Sequence, residues 1–349
     1  VIILNKIKVM VVDDSALMRK IISDMINEET DMEVIATARN GEEFVEKVGG
    51  YNPDVITLDV EMPKMDGITA LKKLKLTNRN AKVIMLSSLT TSSSRTTLDC
   101  LDAGAADFVS KPSGSISLDI NKVKIELVHK IRAVASIKKS LFDFKVEKKE
   151  PARYVTNSRA TGKIEAVVIG ASTGGPRALQ TVLTELPGDL GVPVLVVQHM
   201  PAGFTKTFAE RLNNLCNLKV VEAENNMNIE RNVIYIAPGG FHMEISKDKK
   251  ISLNQEPSIW GVRPAVDKLF HSSATVYGKN QLSVVLTGMG KDGAQGTVSI
   301  KNAGGHTISE DESTCTIYGM PKATFETGKV DEVLPLGYIA KKIATLVKG

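Results

Sequence analysis

The feature that most constrains this chain is an alternation, run through twice, of short β-branched apolar segments with longer amphipathic ones. In the first half the apolar segments fall at 7–12, 34–38, 55–58, 83–86 and 107–109, with helical patterns between them such as 16–26 and 68–76. Strands that read as continuous apolar runs are buried on both faces, and strands alternating with helices form parallel sheets. The rhythm fails from about 136 to 162, where lysines, glutamates, Pro151 and a polar tail leave too few apolar side chains for a core. It resumes at 166–169, 192–197, 219–222, 233–236 and 282–286, with helical patterns at 176–186, 204–215, 264–277 and 293–303. The expected architecture is α/β with two doubly wound domains. Residues 1–135 form a five-stranded parallel, flavodoxin-like domain, 136–162 a linker, and 163–349 a mostly parallel, Rossmann-like domain.

Composition narrows the function classes. A net charge of +4 spread over scattered lysines lacks the dense basic stripe of a nucleic-acid binder. No apolar run reaches the ~20 residues needed to cross a bilayer, and residues 1–6 lack a signal-peptide layout. A cytoplasmic protein without membrane insertion is expected. Cys100, Cys216 and Cys315 are isolated, with no CxxC pair, which argues against a disulfide framework or a zinc site.

Acidic residues cluster at predicted strand ends. Asp13 and Asp14 follow the first strand, and Asp59 closes the third in Asp59-Val60-Glu61-Met62-Pro63. Carboxyl ends of strands in a doubly wound sheet open onto one crevice, so these acids should converge there and repel unless a cation sits among them. Mg²⁺, which takes one or two carboxylates and keeps waters or phosphate oxygens, suits that set. Ser87 after the fourth strand and Lys111 after the fifth would add a hydroxyl and an ammonium suited to a phosphoryl group. In this order the elements resemble a response-regulator receiver domain over residues 7 to about 130. The resemblance implies that Asp59 accepts a phosphoryl group from a histidine kinase, that Asp13, Asp14 and Asp59 hold Mg²⁺, and that Ser87 and Lys111 contact the phosphoryl oxygens.

In the second half, Gly170-Ala171-Ser172-Thr173-Gly174-Gly175-Pro176 joins a predicted strand to a helix. Glycines around a serine allow a sharp turn that presents its hydroxyl at a helix N-terminus, where free N–H groups favour negative charge. A phosphate- or dinucleotide-binding turn is an equal reading of this loop alone, although it lacks GxGxxG and the Walker lysine. His199 closes the next strand, and Asp292 lies just past the strand at 282–286. A histidine beside a serine can take its proton, and an aspartate can orient the imidazole. Asp292 reads equally well as a helix cap before Gly293. Of the other histidines, only His242, after Pro238-Gly239-Gly240-Phe241, is placed to line the cleft.

Those segments, with Gln198-His199-Met200-Pro201, Arg263-Pro264-Ala265-Val266-Asp267, Leu286-Thr287-Gly288-Met289-Gly290-Lys291-Asp292-Gly293 and Tyr318-Gly319-Met320-Pro321, resemble the catalytic domain of the chemotaxis protein-glutamate methylesterases, the CheB family. The resemblance implies Ser172 as nucleophile, His199 as general base and then acid, Asp292 as orienting carboxylate, and the Met289 N–H as an oxyanion donor. It implies a phosphorylation-activated serine hydrolase, with no cofactor in the hydrolase site, that demethylates glutamate methyl esters on methyl-accepting chemotaxis receptors. Methanol would leave, and specific receptor glutamines would also be deamidated.

Overall fold

A computed structural model describes residues 6–111, 118–137 and 163–349. The chain divides into two compact units, Val1–Asp143 and Phe144–Gly349. Most of the expected linker lies outside the described residues.

In the first unit, strands β1 (Ile7–Val12), β2 (Met32–Ala38), β3 (Val55–Asp59), β4 (Val83–Ser87) and β5 (Asp107–Ser110) form one sheet in the order β2-β1-β3-β4-β5. Every pairing is parallel. Five helices alternate with them: α1 (Ala16–Asn27), α2 (Gly41–Tyr51), α3 (Gly67–Thr77), α4 (Thr91–Asp102) and α5 (Leu118–Ser136). Side chains cap the starts of α1, α2 and α3: the Ser15, Asn40 and Asp66 oxygens accept the N–H groups of Met18, Glu43 and Thr69, as free N–H groups at a helix start require. The centre of the sheet is dry, with Val9 to Val12 fully buried.

The second unit holds a seven-stranded sheet of β6 (Ala166–Ala171), β7 (Val194–Gln198), β8 (Lys219–Glu222), β9 (Val233–Ile236), β12 (Gln281–Val285), β13 (His306–Glu310) and β14 (Glu332–Leu334). Its order is β14-β13-β12-β6-β7-β9-β8, again with every pairing parallel. A separate antiparallel hairpin is made by β10 (His242–Ile245) and β11 (Ile251–Asn254). The helices are α6 (Gly175–Thr184), α7 (Phe204–Leu215), α8 (Val266–Tyr277), α9 (Ala294–Asn302), α10 (Met320–Glu326) and α11 (Leu336–Lys348). On α6 the buried side chains Ala178, Leu179, Val182 and Leu183 recur at helical spacing, which fixes the face it turns to the sheet. Strand β6 lies between β7 and β12, so the chain winds outward from it in both directions. Ligand sites of open α/β sheets form at such reversals, beyond the strands' carboxyl ends.

Candidate functional site

In the first unit the reversal lies between β1 and β3. These strands pair along Val9 to Val12, so Asp13, just after β1, and Asp59, closing β3, leave adjacent strands together. Carboxylate oxygens of Asp13, Asp14 and Asp59 lie within 4.8 Å of one another. Asp13 and Asp59 are buried, and Asp14 is exposed. Lys111 Nζ stands 2.7 Å from Asp13 Oδ2 and 2.6 Å from Asp59 Oδ2. Both oxygens have this ion pair but no well-aligned hydrogen bond, whereas Asp13 Oδ1 accepts the Ser15 N–H at 2.9 Å. Burial pushes the Asp59 carboxyl up to about 6, the Asp13 charge adds to this, and Lys111 opposes it. Three acids facing one ammonium leave an excess of negative charge among oxygen donors, the set a hard divalent cation takes. Ser87 ends the neighbouring β4, its hydroxyl accepts that of Thr97 at 2.7 Å, and its carbonyl accepts the Lys111 N–H at 2.7 Å. All five residues singled out in the sequence thus share one edge.

In the second unit Ser172 is the first residue after β6. Its N–H donates to the Thr287 carbonyl at 3.0 Å, and its carbonyl accepts the Gly175 N–H at 2.7 Å. A Cβ on Gly288 would meet Ser172 Cβ at 2.8 Å, so glycine alone lets the turn that carries Met289 approach the serine so closely. His199 is the first residue after β7. The register pairs Ala171 with Gln198, and the His199 N–H donates to the Ala171 carbonyl at 3.1 Å. Ser172 and His199 therefore leave neighbouring strands at one level.

His199 Nε2 lies 2.8 Å from Asp292 Oδ2. The same oxygen accepts the Val266 N–H at 2.6 Å, while Oδ1 accepts those of Asp267 at 2.9 Å and Gly293 at 3.0 Å. Burial pushes the Asp292 carboxyl up, but the bond to His199 and the backbone N–H groups outweigh it, and the net direction is below the usual range. A carboxylate held ionised by such bonds suits a partner that gains charge. With Nε2 directed at Asp292, Nδ1 is the ring nitrogen left to exchange a proton with a hydroxyl. Asp292 thus holds the first N–H groups of α8, and that of Gly293 before α9, as well as the imidazole.

Two buried acids of this site were not singled out as functional from sequence. Asp267 is buried beside Asp292, and its Oδ1 accepts the N–H groups of Gly293 at 3.0 Å and Gly296 at 2.7 Å. Burial, and then the Asp292 charge, push its carboxyl up. Glu310, fully buried at the end of β13, accepts the Thr287 N–H at 2.7 Å and the Thr314 hydroxyl at 3.0 Å. Thr287 in turn holds the serine loop, its hydroxyl donating to the Thr173 carbonyl at 3.0 Å. His242 corrects the sequence reading: it is fully buried, Nδ1 accepts the Ala265 N–H at 3.2 Å and Nε2 lies 3.1 Å from the Pro257 carbonyl. Both nitrogens are used in holding the segment before α8, so it does not line a cleft.

A parallel unit with clustered acids and a lysine at one edge, joined to a parallel unit in which a serine and an aspartate-bound histidine leave neighbouring strands, defines a receiver fused to a hydrolase domain. The chain belongs to the CheB methylesterase family: the family described as CheB methylesterase matches residues 167–343, and the one described as response regulator receiver domain matches residues 9–120. A protein-glutamate methylesterase/protein-glutamine glutaminase of Clostridium acetobutylicum is 49% identical over 99% of both chains. One of the same description from Pyrococcus horikoshii is 44% identical, covering 99% of this chain and 94% of that one. The crystal structure of the Thermotoga maritima CheB methylesterase catalytic domain superimposes with a TM-score of 0.52 at 43% identity, covering 53% of this chain and all of that one. Among the described residues no helix is long and apolar enough to cross a membrane.

Proposed function

We propose that this protein is a protein-glutamate methylesterase and protein-glutamine glutaminase, acting on chemotaxis receptors under the control of phosphorylation at Asp59. The observation that carries the reading is that Ser172 and His199 directly follow the neighbouring strands β6 and β7, with His199 bonded to the ionised Asp292 in the turn between β12 and α9.

Ser172 Oγ attacks the carbonyl carbon of a γ-glutamyl methyl ester, and its proton passes to His199 Nδ1. Asp292 keeps the opposite N–H of the ring in place and stabilises the imidazolium. The negative charge on the carbonyl oxygen is met by the Met289 N–H, on the turn packed against Ser172. Collapse breaks the ester C–O bond, and methanol leaves with the proton from His199. Water, giving its proton to the same nitrogen, then attacks the acyl carbon, which releases glutamate and restores the serine. A glutamine substrate follows the same path with ammonia leaving, and leans harder on the general acid because an amide expels a poorer leaving group.

In the receiver, Asp59 takes a phosphoryl group from a histidine kinase, with its carboxylate oxygen attacking phosphorus as the donor bond breaks. A divalent cation such as Mg²⁺, held by Asp13, Asp14 and Asp59, would neutralise charge on the phosphoryl oxygens there. Lys111 supplies a fixed positive charge to the transferred group, and Ser87 a hydroxyl at the same edge. Coupling between the units of ordinary size changes the esterase rate about 5- to 150-fold. Methanol release from methyl-labelled chemoreceptor membranes, measured for the intact protein and for Ser172→Ala, tests the esterase reading.

A further inference from the structure

We infer that Gln198 is a positioning residue that ties the serine loop to the histidine through one carboxamide. Its Nε2 donates to the Ser172 carbonyl at 2.9 Å and to the His199 carbonyl at 3.1 Å. The two N–H bonds of a single planar group thus end on the backbone of both residues that exchange the proton. The side chain is 2% exposed, so water does not compete for these bonds.

The other end of the amide indicates that stability alone does not account for this residue. Gln198 Oε1 is buried without a hydrogen-bond partner. A buried acceptor left unpaired lowers stability, and an apolar chain of similar length would fill the space without that cost. Gly175 is shaped to the same amide, since a Cβ there would lie 2.0 Å from Oε1. Opposite orientation of the amide would set its oxygen against two carbonyl oxygens, so the donor end must face Ser172 and His199. A fixed separation of nucleophile and base is what makes proton transfer during attack efficient, and a displacement of about 1 Å lowers rates on the order of 10²-fold.

The inference rests on Ser172 as nucleophile and His199 as base. Its test is methanol release by the intact protein, with kcat and KM resolved, for wild type, Ser172→Ala, Gln198→Met and Gln198→Glu, beside their melting temperatures. Met keeps the length and removes the donor, whereas Glu turns the donor into an acceptor. The expected result is a fall in kcat on the order of 10²-fold in both Gln198 variants, with KM little changed and the Met variant melting no lower than wild type. Unchanged kcat in both variants, or a kcat loss matched by a rise in KM or a lower melting temperature for Gln198→Met, overturns the inference. A wild type that releases no methanol, or one equalled by Ser172→Ala, overturns the functional reading and the inference with it.

Discussion

Asp292 spans His199 and the start of α8 with one oxygen: Oδ2 lies 2.8 Å from His199 Nε2 and accepts the Val266 N–H at 2.6 Å. The carboxylate is thus aimed by the backbone as well as by the imidazole, and in the proposed mechanism the ring keeps its Nε2 proton toward Asp292 while Nδ1 acts as base.

Replacing Asp292 by asparagine puts a neutral amide where a charge belongs. Its NH₂ can face His199, which favours the wrong tautomer and sets a donor against the Val266 N–H. With the NH₂ on the other side, it opposes the N–H groups of Asp267 and Gly293 instead. For Asp292→Asn we expect kcat for methanol release to fall about 10²- to 10⁴-fold, with a smaller change in KM. Steady-state kinetics check this; a loss under about tenfold would mean that the carboxylate does not tune the histidine.

The receiver site predicts a metal-dependent modification. With Mg²⁺ and a radiolabelled small-molecule phosphodonor, the intact protein should take up label that is lost in Asp59→Asn and on chelation of the metal. Esterase activity should rise with labelling in wild type and stay flat in Asp59→Asn. Label retained in the variant would place the phosphoryl group elsewhere.

Glu310 carries a pH prediction. Burial pushes its carboxyl up to about 7 from an ordinary value of 4.5. A raised carboxyl contributes stability in full below its unfolded pKa and loses it as pH rises through the folded one, here from about 4.5 to about 7. Glu310→Gln keeps an acceptor for the Thr287 N–H and cannot ionise. Its melting temperature relative to wild type should therefore climb between pH 5 and pH 8, by an amount corresponding to roughly 1–3 kcal/mol. A difference that stays constant over that range would show that the group does not titrate there.

How far the sequence reaches is shown by particular elements. Most of the apolar strands were legible because they are buried runs such as Val9 to Val12, and the two parallel sheets followed from the alternation with helices. Strand β13 escaped because His306, Thr307, Ser309 and Glu310 are polar and all buried, so it shows neither an apolar run nor a period of two. Those groups find partners far along the chain, His306 on Glu332 at 2.8 Å and the Thr307 N–H on Asp331 at 3.0 Å, which no local pattern announces.

The site divides the same way. Asp13, Asp59, Ser172 and His199 stand at the ends of readable strands, so their shared edges follow from topology. Asp267 and Glu310 act on backbone groups more than twenty residues away, Gly296 and Thr287, and only the folded chain brings these together. His242 was misread for the converse reason: its neighbouring glycines suggested an open loop, whereas the folded chain closes both of its nitrogens.

If Ser172 is the nucleophile of a receptor methylesterase, its hydroxyl is indispensable to methanol release. The most direct measurement is the initial rate of methanol release from methyl-labelled chemoreceptor membranes, with Mg²⁺ and a phosphodonor present, for the intact protein and for folded Ser172→Ala. Steady release is expected from the first and none above background from the second. Equal release by the two proteins, or none by either, would contradict it.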